Sequence, residues 1–185
     1  MTRELPNPSG SVADVEVVGE LTHLEALHLE QAGTPASFAF LSSLEACSRW
    51  RSKVRARPKE PSIAALLPLR RLQTLTLGAE RGELRDLQDL ALLGEMDSLA
   101  SFRMYGGPKQ IASIKWIKAL RQLESFDMYG TAIADGDLTP LLESGSLRRI
   151  RLNPVRKRYS HSEAEVYAFL RAKAALREHA ADETT

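Results

Sequence analysis

Leu69-x-x-Leu72-x-x-Leu75-x-Leu77 returns as Met96-x-x-Leu99-x-x-Phe102-x-Met104, and again as Leu120-x-x-Leu123-x-x-Phe126-x-Met128. The last two apolar positions lie two apart, as in a strand with one buried face. The earlier ones lie three apart, as the chain turns into that strand. One such unit alone exposes its apolar edge, and stacking neighbours buries it in a continuous core. The phrase therefore predicts a solenoid with one parallel strand per unit and a helix or irregular arc returning on the outside.

Working outward, the second apolar position of each phrase serves as a marker. Leu24, Leu44, Leu72, Leu99, Leu123 and Leu147 fall into line at intervals of 20, 28, 27, 24 and 24 residues. The first copy is Leu21, Leu24, Leu27, Leu29. The last is Leu147, Ile150, Leu152, with Ser144 in the leading place. Between copies, Leu84, Leu87, Leu90 and Leu93 have helical spacing, and Ile111, Ile114, Trp116 and Ile117 form a similar stripe. Trp116 reads as core. The second unit departs from the pattern, because Leu41 and Leu44 would put Cys47 and Arg49 at strand core positions. A charged core residue is costly, so this strand can slip to turn Trp50 or Val54 inward, and the register over residues 45–62 stays open.

The stretch Leu123-Glu-Ser-Phe-Asp-Met-Tyr-Gly-Thr-Ala-Ile-Ala-Asp-Gly-Asp-Leu-Thr-Pro-Leu141 resembles the leucine-rich repeat family, in the variety with a Thr-x-Ile-x-Asp turn after the strand. The resemblance covers about residues 21–153, and repeats of this family run about 20–29 residues. It implies that Thr131 hydrogen-bonds backbone groups between coils, that Ile133 and Leu138 are core, and that Asp135 caps the returning helix. Asp is also a favoured N-cap on its own account. The fold expected is an α/β leucine-rich repeat solenoid of about six units, with a parallel sheet on the concave face and helices or arcs on the convex face.

The domain plan has three parts. Residues 1–20 form an N-terminal cap, in which residues 12–18 alternate as an edge strand that would block stray pairing. Residues 21–153 are the solenoid. Residues 154–185 hold a capping helix over about 162–179 and a frayed tail. Ser162-Glu-Ala-Glu165 has the capping-box pattern that opens this helix. Its stripe of Val166, Phe169, Leu170, Lys173, Ala174 and Leu176 is expected to pack on the last repeat.

Composition narrows function by exclusion. The formal charge is +1, so bulk electrostatics points away from nucleic acid. The single cysteine, Cys47, rules out an internal disulfide and reads as a small buried hydrophobe in a reducing compartment. No secretory leader and no run of about 18 apolar residues is present, so a cytoplasmic location without membrane contact is expected. Extracellular leucine-rich repeat proteins usually carry cysteine-rich caps, which this chain does not resemble. His23, His28, His161 and His179 are scattered, Gly106-Gly-Pro-Lys109 is too short for a phosphate loop, and Asp135-Gly-Asp137 is short for a calcium loop. No enzyme, cofactor or metal is expected.

What remains is surface. Strand residues between core positions point to the concave face: Ala26, His28, Glu30; Thr74, Thr76, Gly78; Ser101, Arg103, Tyr105; Ser125, Asp127, Tyr129; and Arg149, Arg151, Asn153. Tyr105 and Tyr129 share a position in successive coils, beside a row of Arg103, Asp127 and Arg151. Such a ladder stabilises a sheet by itself, and it also offers hot-spot residue types to a partner. A second feature is the basic run from Arg49 to Lys59, with its aromatic Trp50, and a third is the cluster Arg148, Arg149, Arg151, Arg156, Lys157, Arg158. These runs read first as solvated surface, then as a contact for an acidic protein, then for nucleic acid. The expectation is a monomeric protein-interaction module whose partner-binding residues are Arg103, Tyr105, Asp127, Tyr129, Arg149, Arg151 and Trp50. The alternatives are an immunity-type protein that neutralises a bacterial toxin, permitted by small size and an Arg/Ala-rich composition, and nucleic-acid binding through the basic segments.

Overall fold

Among the described residues, eight strands and two α-helices follow in chain order: β1 (Ala26–Glu30), β2 (Arg49–Val54), β3 (Thr74–Ala79), β4 (Ser101–Tyr105), β5 (Gln110–Ile111), β6 (Ser125–Tyr129), β7 (Ala132–Ile133), α1 (Thr139–Glu143), β8 (Arg149–Leu152) and α2 (Glu163–Asp182). The structure, a computed structural model, describes residues 20, 23–30, 39–54, 62–79, 84, 87, 89–152 and 159–182. The edge strand read over residues 12–18, Asn153 and the basic residues 55–59 and 156–158 lie outside the described residues. β1, β2, β3, β4, β6 and β8 form one parallel sheet in that order, and β5 pairs with β7 in a small second sheet.

The coils are locked by one repeated hydrogen-bond pattern. The carbonyl after each marker position accepts two N–H groups from the next coil. Gln73 O takes Ala100 N and Ser101 N, each at 2.8 Å, and Glu124 O takes Arg148 N at 2.9 Å and Arg149 N at 3.0 Å. Serines just before the marker add a side-chain tie. Ser98 Oγ donates to Leu72 O at 2.9 Å and Ser146 Oγ to Leu123 O at 2.9 Å. These serines do the work that the resemblance gave to Thr131. Thr131 is buried, and its Oγ1 has no hydrogen-bond partner among the described residues.

The second coil corrects the alignment by three residues. Trp50 pairs in register with Leu27 and Leu75, and Ser52 with Leu29 and Leu77. The unit is therefore Leu44-x-x-Cys47-x-x-Trp50-x-Ser52, with Cys47 as its marker. The intervals become 23, 25, 27, 24 and 24 residues, more even than the leucine count alone gave. Cys47 and Trp50 are buried, and Arg49 is exposed. Trp50 is a core residue and leaves the set of partner-binding candidates, because its surface is spent between neighbouring coils.

On the convex side the return segments are single 3₁₀ turns at Ala39–Ser43, Ile63–Leu66, Leu90–Glu95 and Lys115–Ala119, with α1 in the last full coil. A spacing of three is the 3₁₀ period, which puts Leu90 and Leu93 on one buried side of their turn, and Leu84 and Leu87 are buried as well. Trp116 is partly buried and meets Phe102 and Phe126 edge-on at 6.0 Å, while those two rings stack at 5.9 Å. Ile133 and Leu138 are core as expected. Asp135 is not the helix cap. It accepts from Asp137 N at 3.1 Å, and Asp137 Oδ1 accepts from Thr139 N at 2.9 Å, at the start of α1.

α2 closes the far edge of the sheet. The capping box is formed: Ser162 N donates to Glu165 Oε2 at 2.6 Å and Glu165 N to Ser162 Oγ at 3.2 Å. In a parallel pair alternate residues face the free edge. On β8 those are Ile150 and Leu152, and α2 meets both: Tyr167 Oη donates to Ile150 O, and Glu163 Oε1 accepts from Leu152 N at 3.3 Å. Val166 and Leu170 are buried, but Phe169 and Leu176 are 46% and 71% exposed. The inward stripe is thus narrower than the sequence suggests, and the helix runs on to Asp182, past the expected end.

Candidate functional site: the concave sheet face

Alternation puts every second strand residue on the concave face, and the strand register stacks them into rows. The central row is His28, Arg51, Thr76, Arg103, Asp127, Arg151. Above it run Glu30, Lys53, Gly78, Tyr105, Tyr129, and below it Ala26, Arg49, Thr74, Ser101, Ser125, Arg149. The register therefore brings Arg103, Tyr105, Asp127, Tyr129, Arg149 and Arg151 onto one surface, with Tyr105 opposite Tyr129. Arg49 and Arg51 belong to the same surface. Sequence reading missed them as part of it because the second unit was offset by three residues.

The tyrosines are held from opposite sides. Tyr105 lies over β3: a Cβ added at Gly78 would sit 2.2 Å from its Cζ. Only a residue without a side chain lets that ring lie down there. Tyr129 lies near Arg151 of β8 instead. Interaction with the Tyr129 side chain first, and then the nearby Asp127 charge, hold the Arg151 pKa above its usual value. Each tyrosine is followed by a glycine in the left-handed region, Gly106 at φ 70° and Gly130 at φ 76°, which ends the strand and turns the chain outward.

Asp127 is the most enclosed charge on this face. Its side chain is 2% exposed, against 43% for Arg103. Arg103 Nε and Nη2 both reach Oδ2 at 3.0 Å. The other oxygen, Oδ1, is buried without a hydrogen-bond partner among the described residues. Arg149 Nε donates to Ser125 Oγ at 3.3 Å. Arg49 and Arg51 are exposed and make no ion pair with a described residue. Five arginines and one aspartate with described side chains thus share a face of a chain whose total is 25 basic and 24 acidic residues. The positive charge is local, and the net charge hides it.

Other features do not converge on this surface. An open groove lined by His23, Glu45, Ala46, Pro68, Arg70 and Arg71 lies at the edge where the chain enters the strands. Among the described residues no cluster of three or more His, Cys, Asp or Glu could hold a metal, and no helix is long and apolar enough to cross a membrane. Burial pushes the Cys47 thiol pKa up, and its Sγ donates to Arg49 O at 3.3 Å.

A parallel sheet with one strand per coil, short helical returns and a leucine-marked turn define the class: the chain folds as a leucine-rich repeat solenoid. Internalin C2 of Listeria monocytogenes is a similar solved structure, with a TM-score of 0.57 and 19% identity over 77% of this chain and 57% of that one. A second internalin of the same organism, inlF, matches with a TM-score of 0.54 and 21% identity over 87% of this chain and 49% of that one. The chain thus spans about half the length of the structures it matches. No family model and no curated protein matches the sequence.

Proposed function

We propose that this protein is a non-enzymatic interaction module that takes a partner protein on its concave sheet. The observation that carries this reading is the registered group of Tyr105, Tyr129, Arg103, Asp127 and Arg151, in which the Arg103–Asp127 bond and the Gly78 seat of Tyr105 already order the centre. Tyrosine and arginine are the residue types that dominate binding energy at interfaces. Ordering them beforehand lowers the entropy lost on docking. A cytoplasmic location is proposed with it, supported by the lone, buried thiol of Cys47.

The test is Tyr105→Ala and Tyr129→Ala, singly and together, against the partner recovered from the native host. Each is expected to weaken binding at least about tenfold, or about 1.4 kcal/mol. Unchanged binding by folded variants would reject the concave site.

A further inference from the structure

The arginines of the concave face are not spread evenly. Arg49 and Arg51 stand exposed on β2. Arg149 and Arg151 stand exposed on β8, the first against Ser125 and the second against Tyr129. Between these flanks the face is close to neutral. Thr74, Thr76 and Gly78 fill β3, and the one central arginine, Arg103, is bound by Asp127. From β2 to β8 there are four strand steps of about 4.8 Å, which places the flanks roughly 19 Å apart at the backbone.

We propose that the partner is an acidic protein segment with carboxylates at two points, one for each arginine flank, and an uncharged middle that lies on Tyr105 and Tyr129. This rests on the concave-face reading above. Charge complementarity selects the sign, since each flank presents two exposed guanidinium groups. Arg49 and Arg51 stand opposite Ala26 and His28 on β1 and Thr74 and Thr76 on β3, with Glu30 in the next row opposite Lys53. Arg149 faces Ser125, and Arg151 faces Asp127, the one acidic residue directly opposite either pair, which Arg103 already binds. The spacing selects the length. An extended chain rises about 3.4 Å per residue, so about six residues bridge the two flanks. The neutral middle argues against a polyphosphate backbone, which carries charge along its whole length. Guanidinium forks also suit paired carboxylates geometrically.

The probes are fluorescent peptides with two Glu-Glu pairs joined by neutral Gly-Ser linkers of two, six or twelve residues. A Gln-Gln version and a single-stranded DNA oligonucleotide of similar length complete the set. Anisotropy is read at low ionic strength, where exposed charges interact over the longest range. The six-residue linker is expected to bind at least fivefold more tightly than the two-residue one, and the Gln-Gln peptide not to bind. Arg49→Glu with Arg51→Glu, or Arg149→Glu with Arg151→Glu, should each abolish the linker preference and cost at least tenfold. Arg121→Glu with Arg171→Glu, the same charge change at exposed positions off this face, should cost less than twofold. Equal binding by all linkers, equal loss from the off-face pair, or tighter binding by DNA would each overturn the proposal. If the peptides fail while the tyrosine variants still lose the native partner, the two-flank inference falls and the concave site stands. If the tyrosine variants keep that partner, the concave reading falls with it.

Discussion

The second and fifth coils follow one backbone plan and fill it in opposite ways. In the fifth, a leucine marks the turn, Phe126 fills the core and the concave charge is the buried Asp127. In the second, Cys47 marks the turn, Trp50 fills the core and the concave charge is the exposed Arg51. The sheet thus tolerates different core residues as long as the strand register holds. The concave position is where coils differ in what they present.

The largest effect that can break this comparison is in the cores. Trp50→Ala and Phe126→Ala should each cost about 3–5 kcal/mol of unfolding free energy, while Arg49→Ala stays within about 0.5 kcal/mol. Urea denaturation measures all three. A mild Trp50→Ala would return that residue to the surface and undo the revised register.

Next comes the central ion pair. Arg103→Ala leaves a buried carboxylate alone. With Arg103 43% exposed, the cost is set below the fully buried range, at about 2 kcal/mol. Asp127→Leu removes a buried charge with one unpartnered oxygen and frees an arginine that can reach water. It should be neutral or stabilising by about 1 kcal/mol. The same denaturation curves decide it, and equal losses from both variants would contradict the asymmetry.

Gly78→Ala sharpens the difference between the two tyrosines. A Cβ there meets the Tyr105 ring, so the ring must lift, whereas Tyr129, two strands away, is not displaced. Stability should fall by about 1 kcal/mol or less, because the ring end can move. Partner affinity should fall as in Tyr105→Ala, and an unchanged affinity would show that the seat is irrelevant to binding.

The smallest effect concerns acid. Hydrogen bonds from Ser162 hold the Glu165 pKa below the usual carboxylate range, and those from Thr139 do the same for Asp137. A depressed folded-state value stabilises above the unfolded pKa of about 4 and fades as pH falls through the folded value. The α2 signal in circular dichroism should therefore weaken slightly below pH about 4. In Ser162→Ala that pH-dependent step should shrink, and a step of unchanged size would contradict the capping assignment.

Most of the fold was legible because Leu69, Met96 and Leu120 open near-identical phrases whose final two-residue step fixes the strand. That step is also what failed in the second coil. Leu41, Leu44, Cys47 and Trp50 are all three apart, so a shift by three leaves the pattern equally apolar. The step that would have pinned it ends on Ser52. Arg49 and Arg51 were therefore visible as a basic run but not as part of the concave face. The pairing of Tyr105 with Tyr129 and of Arg103 with Asp127 was legible from alignment alone. The near-complete burial of Asp127 was not, since it depends on how long neighbouring side chains fold over it. The idle Thr131 hydroxyl was hidden for a similar reason, because Ser98 and Ser146 meet the carbonyls between coils from another position.

The most direct test of the concave face as the binding surface is site-specific photo-crosslinking with the native partner bound. A photoreactive residue is placed in turn at Thr76 and Arg103 on the concave side, and at Leu92 and Glu143 on the returning turns and helix. Adducts from Thr76 and Arg103 and none from Leu92 or Glu143 are the result predicted. Adducts confined to Leu92 and Glu143 would contradict it.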